Sequence, residues 1–243
     1  MNISHSKNKS TLASYSAITK KDINELKNKK SNAVASFWST RQKQGNVLAG
    51  KQLDAFLHLL SEVAQSAGVP KECIHLDDNH VPGYFRVTKD WDFLIVSPKG
   101  NLIAAIELKS QIGSYGNNFN NRAEESLGSA DDFWTAYREN SFKCAQTPWL
   151  GYMMIVGKED TSMHMVKVHE PHFCVRSEFK NSSYLDRYKI LCQRLLLEHK
   201  YNAVSLIVTS DSQSYESMAD NVSIEAFLSS FKGYLSGIEY EFK

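Results

Sequence analysis

Apolar positions recur at helical spacing over KQLDAFLHLLSEVAQSAG, where Leu53, Phe56, Leu57, Leu60, Val63 and Ala64 form one stripe that Gly68 and Pro70 end. Upstream, KDINELKNKKSNAVASFWSTRQKQ begins the fold as a helix or a helix pair. Downstream the period changes. WDFLIV and LIAAIELK are short apolar runs joined by SPKGN, the pattern of a hairpin. A helix is predicted over roughly 123–140, an apolar strand over 149–157, a helix over about 184–199, a strand over 202–209 and a last helix over SIEAFLSSFKGYL.

Helix, hairpin, helix, strand, helix, strand, helix describes an α/β fold, a central mixed β-sheet flanked by α-helices. The strands at 149–157 and 202–209 are apolar on both faces, which requires cover on both sides of the sheet. No internal repeat or linker breaks the chain, so residues 21–243 read as a single domain. Residues 1–20 are polar, rich in Ser and Lys and without periodicity, and read as a disordered basic tail.

Composition changes this picture only at the ends. The net charge is +1, but residues 1–51 hold nine lysines and Arg41 against Asp22 and Glu25, a basic segment suited to a polyanion or simply to solvent. No apolar run reaches the roughly 18 residues a membrane span needs, and the N-terminus lacks a signal-peptide core. Cys73, Cys144, Cys174 and Cys192 form no close pairs. A soluble cytoplasmic protein is expected.

Candidate chemistry lies in WDFLIVSPKGNLIAAIELKS. A two-residue turn at Lys99–Gly100 would set Asp92 directly across from Glu107, with side chains on one face. Lys109, two residues on, shares that face, while Trp91, Phe93 and Leu108 would back it from the other. Two carboxylates this close repel unless a cation lies between them, and a hard divalent ion such as Mg²⁺ suits oxygen ligands. A lysine beside it can orient or help deprotonate an attacking water. The spacing D-x(14)-E-x-K is that of PD-(D/E)XK nucleases. The plainer alternative is an exposed Lys109–Glu107 bridge. The apolar flanks favour the metal site, because unpaired charge is costly in a central hairpin.

SQIGSYGNNFNNRAEESLGSADDFW follows, with Asn117, Asn118, Asn120, Asn121 and Arg122 in a flexible Gly/Asn loop that turns into a helix. Asparagine suits bidentate contact with adenine and arginine with guanine, so these five residues are candidate DNA contacts. The alternative is a polar surface loop. Glu124, Glu125 and Glu62 are secondary candidates as ligands. MHMVKVHEPHFC brings His164, His169, His172 and Cys174 close in sequence, but the spacing matches no common zinc arrangement, and its alternation is that of a strand.

FWSTRQKQG, WDFLIV, LIAAIELKSQIG, GNNFNNRAEESLGSADDFWTAYRE, PWLGYMMIV and EPHFCVRSEFKNSSYLDRYKILCQRL, from about residue 33 to 210, resemble the XhoI family of type II restriction endonucleases. The resemblance implies the PD-(D/E)XK restriction-endonuclease-like fold. It further implies a Mg²⁺-dependent homodimer that cuts both strands of palindromic double-stranded DNA. CTCGAG is the site of its best-known members, with 5′ overhangs. Asp92 and Glu107 carry over as metal ligands and Lys109 as the water-activating residue. The Asn-rich segment and Arg122 carry over as DNA contacts, and a cognate DNA methyltransferase as functional partner. Family members can have phenylalanine at Leu108, which faces away from the metal. A repair or structure-selective nuclease, or a non-catalytic DNA-binding relative, are the readings that compete with it.

Overall fold

Residues 20–44, 51–210 and 214–243 are described in the computed structural model of the chain, and the expected tail lies outside them except for Lys20. The part of the basic segment from residue 20 to 44 forms one long helix, α1 (Lys20–Gln44), followed by α2 (Asp54–Ser66). Three short strands come next: β1 (Ile74–His75), β2 (His80–Pro82) and β3 (Thr88–Asp90). None is legible in sequence, because two or three residues are too few to show a period.

The central hairpin is β4 (Phe93–Val96) and β5 (Leu102–Gln111). Then follow α3 (Tyr115–Arg138), β6 (Trp149–Gly157), the single turn α4 (Asp160–Met163), α5 (Tyr184–Leu197), β7 (Ala203–Thr209) and α6 (Ile224–Gly237). Ser183 and Asp186 open α5 as a reciprocal capping box, and Ser223 Oγ accepts the Ala226 N–H to open α6.

The five-stranded sheet runs β1-β4-β5-β6-β7, antiparallel through β5 and parallel from β5 to β7, while β2 and β3 form a separate hairpin. This is the mixed sheet the pattern predicts. Every residue of β6 and β7 is buried, because helices cover both faces. Phe93, Ile95, Ile103, Ile106 and Leu108 pack with α1, α2 and α6. Leu94, Ala105, Tyr152 and Met154 pack with α3 and α5. Each fully buried Leu, Ile, Phe or Met side chain among these contributes about 1.5–3 kcal/mol. No helix among the described residues is long and apolar enough to cross a membrane.

Two expectations about the hairpin need correction. The turn is longer than two residues: the Ser97 N–H donates to Asn101 O at 2.9 Å and the Gly100 N–H to Ser97 O at 2.8 Å. Gly100 takes φ +77°, a conformation other residues resist, and the buried Asn101 amide is held by Glu241 at 3.0 Å. A register shift between Ile95 and Val96 absorbs the difference. Phe93 therefore still opposes Ile106 and Leu94 opposes Ala105, the register that sets Asp92 across from Glu107. Trp91 does not back the site from the other face. It packs with the α3 side of the sheet, its ring 5.4 Å from that of Phe133.

Two further expectations fail on α3 and after α4. The Gly/Asn segment is not a loop: α3 begins at Tyr115, eight residues before its predicted start. Gly113 and the left-handed Ser114 make the turn, and the Asn118 amide donates to Ser114 O at 3.1 Å, so side chains counted as loop material hold the first helical turn. MHMVKVHEPHF is not a strand either. After Met163, the last residue of α4, it lies outside both sheets with irregular backbone, touching β-structure only where Met165 bridges Ser183. Met163 and Met165 stand exposed, Met165 at 75%, while Val166 and Val168 are half-buried, so the alternation faces solvent on the methionine side.

Candidate active site

Glu107 sits in mid-β5, opposite Tyr152 of β6, and is 4% exposed. A buried carboxylate is costly unless its charge is met. Here two ammonium groups meet it. Lys109, on the same face of β5, pairs with Oε1, and Lys89 of β3 lies 2.8 Å from Oε2. The Lys89 contact is an ion pair by distance but not a hydrogen bond by angle, so Oε2 is buried without one. Lys89 also lies over the Trp91 ring, 4.6 Å from its centroid.

Asp92 immediately precedes β4, and its Oδ2 accepts the Leu108 backbone N–H at 2.7 Å. Burial and then the neighbouring Glu107 charge push the Asp92 carboxyl above the ordinary carboxylate range, against the Leu108 N–H and the two lysines. For Lys109, burial works to lower the pKa, but Glu107 and Asp92 outweigh it and hold the ammonium above its usual value. Asp92, Glu107 and Lys109 thus form one interacting group, with Lys89 as a fourth member that sequence reasoning missed. The available signal was a lysine three residues before Asp92.

This donor set fits a hard divalent cation. Glu107 Oε2 is buried and free of any hydrogen bond, and the Asp92 carboxyl is pushed toward protonation by its neighbour. A cation between them would relieve both conditions. Among the described residues no group of three or more His, Cys, Asp or Glu could hold a metal, so two carboxylates are what the chain offers here, with other positions left to water, backbone or phosphate oxygens. Glu62 is not among them, since it pairs with Lys29 at 3.1 Å on the surface.

Along α3, Asn117, Asn120, Asn121 and Glu124 are exposed on one face. Asn118 and Arg122 are half-buried on a second, where Arg122 Nη1 bonds Glu125 at 2.6 Å. The Arg122 charge is felt at Lys109 and at the Tyr152 and Tyr188 hydroxyls, which burial pushes up, so Arg122 lies within electrostatic reach of the carboxylate site. Its Nε is buried without a hydrogen bond.

The family described as Restriction endonuclease XhoI matches residues 32–220. The type II restriction enzyme BstVI of Geobacillus stearothermophilus is 45% identical over 196 residues, spanning 76% of this chain and 87% of that protein. The type II restriction enzyme XhoI of Xanthomonas vasicola is 40% identical over 182 residues, 68% of this chain and 73% of its own. AbrI of Azospirillum brasilense, also a type II restriction enzyme, is 36% identical over 181 residues, 67% and 81%. No solved structure gives a significant match. A family match across most of the chain, together with relatives at this identity, means that the protein belongs to the XhoI family of type II restriction endonucleases.

Proposed function

We propose that this type II restriction endonuclease cuts both strands of a palindromic duplex as a Mg²⁺-dependent homodimer. CTCGAG is the first site to test, with 5′ overhangs, 5′-phosphate and 3′-hydroxyl ends, and a cognate methyltransferase protecting cytoplasmic host DNA. The observation that carries the catalytic part is the buried Glu107, joined to Lys109 and set across the hairpin from Asp92.

Asp92 and Glu107 would hold the Mg²⁺, which when bound stabilises charge on the phosphate and on the leaving oxygen. Lys109, held as an ammonium, orients the attacking water by donating to it. Lys89 balances the remaining carboxylate charge. Exposed Asn117, Asn120 and Asn121 are available to base edges, and Arg122 to a phosphate or base close to the reacting centre.

The reading is tested with Glu107→Gln, which keeps the shape and removes the charge. Its loss of cleavage with retained binding to the cut sequence supports the assignment. Cleavage near the wild-type rate removes Glu107 from the chemistry.

A further inference from the structure

The β2–β3 hairpin is assigned no part in the site apart from Lys89, yet its tip is built with care. Residues Gly83–Val87 put large apolar side chains into solvent: Tyr84 is 53% exposed, Phe85 72% and Val87 91%. Exposed apolar groups on a floppy loop would mean little. This loop is pinned. Asp132 of α3, 3% exposed, accepts the Tyr84 N–H at 2.9 Å, the Phe85 N–H at 2.7 Å and Arg86 Nε at 3.0 Å. A side chain at Gly83 would meet Asp132 Oδ2 within 2.5 Å and Arg86 O within 2.6 Å, so the tip closes directly onto that carboxylate. Tyr84 and Phe85 stack edge to face, 5.0 Å apart. A buried acid using three bonds to hold apolar groups in water is the arrangement of a preformed contact surface.

Its position limits what it can contact. Val87 is two residues from Lys89, which meets Glu107. At about 3.3 Å per residue Val87 stands some 7 Å along the strand from Lys89, whose side chain spans the remaining distance to Glu107. A scissile phosphate on the Asp92–Glu107 pair borders a major groove about 12 Å wide, so the adjoining base edges come within reach of the tip. With Nε fixed by Asp132, Arg86 keeps Nη1 and Nη2 for another partner, and its side chain is 43% exposed. An anchored guanidinium beside apolar side chains suits a base edge and a neighbouring methyl group or base step.

We propose that Phe85, Arg86 and Val87 form a preorganised DNA-contacting tip that enters the groove beside the scissile phosphate. The proposal rests on the catalytic reading of Asp92, Glu107 and Lys109 for its placement. The alternative occupant, a second copy of the chain, becomes an outcome of the test.

The test compares wild type, Phe85→Ala/Val87→Ala and Arg86→Lys in the full chain. Fluorescence anisotropy, with Ca²⁺ in place of Mg²⁺, measures binding to a duplex centred on the sequence that end-sequencing shows to be cut. Sedimentation measures oligomeric state, and melting confirms that the exposed substitutions leave the fold intact. At least about tenfold weaker binding in both variants, with unchanged sedimentation, supports the tip. Binding within about twofold of wild type overturns it, as does conversion of a dimer to monomers by the double substitution. Failure of the catalytic reading would show separately, as undiminished cleavage by Glu107→Gln, while the ratio of variant to wild-type binding to the cut sequence still decides the tip.

Discussion

The Leu108 backbone N–H donates to Asp92 Oδ2 at 2.7 Å. One side chain thus continues the β4–β5 ladder where β4 has not yet begun, and the same bond fixes a carboxylate beside Glu107. The contact extends the register of the paired strands to Asp92 and so ties the site geometry to it. It also places Asp92 where burial and Glu107 disfavour its charge.

Stability and activity should therefore move in opposite directions at Asp92. Its folded pKa is raised, so the unfolded chain releases the proton first and stability is lost as pH rises between the unfolded and folded values. Asp92→Asn keeps an acceptor for Leu108 and removes that penalty. It should melt higher than wild type at pH 7, with the gain fading below about pH 4, while cleavage falls at least ~100-fold. Calorimetry at the two pH values, alongside rates, checks this; an Asn variant that is less stable at pH 7 contradicts it.

The two lysines should separate kinetically. Lys109→Ala should reduce the cleavage rate by at least about 100-fold at saturating Mg²⁺. Lys89→Ala frees Glu107 Oε2 of a competing cation and should lower the Mg²⁺ needed for half-maximal rate about threefold. Mg²⁺ titrations of both variants decide, and an unchanged Mg²⁺ requirement in Lys89→Ala counts against competition at Oε2.

Asp132 gives the hairpin tip a pH dependence of the opposite sign. Burial alone would raise its carboxyl, but the Phe85 and Tyr84 N–H groups and Arg86 outweigh it and hold it low. The stabilisation is present above the unfolded value of about 3.9 and is lost as pH falls through the folded one. Hydrogen exchange should show the Tyr84 and Phe85 amides protected at pH 5 and much less so at that pH in Asp132→Ala, which should cost about 1–3 kcal/mol. Equal protection in the two proteins contradicts the clamp.

Thiol chemistry should single out one cysteine. Burial pushes Cys192 up to about 12 and Cys144 up to about 11, and raises Cys73, whereas Cys174 is exposed. At pH 8 one thiol per native chain should react rapidly with an aromatic disulfide, and Cys174→Ser should abolish that phase. A second fast thiol would mean that one of the covered sites opens.

The hairpin and its pairing are legible in the sequence because Phe93, Leu94 and Ile95, with the facing run from Ala104 through Ile106, are apolar enough to fix one register, even though the turn is longer than the two residues expected. The helix start at Tyr115 is not legible. Asn118 and Ser114 favour turns and caps, and nothing local shows that Phe119 and Ala123 pack into the α3 side of the core. Lys89 stays hidden for a different reason. β3 has no period of its own, and its partner in the site is eighteen positions away on another strand.

The most direct measurement is digestion of unmethylated phage DNA by the purified protein with Mg²⁺ and with EDTA, followed by end-sequencing. The account predicts discrete Mg²⁺-dependent fragments whose ends map to one palindrome, carrying 5′-phosphates and 5′ overhangs, and none with Glu107→Gln. Fragments that persist in EDTA or with Glu107→Gln, or smearing without a consensus, would contradict it.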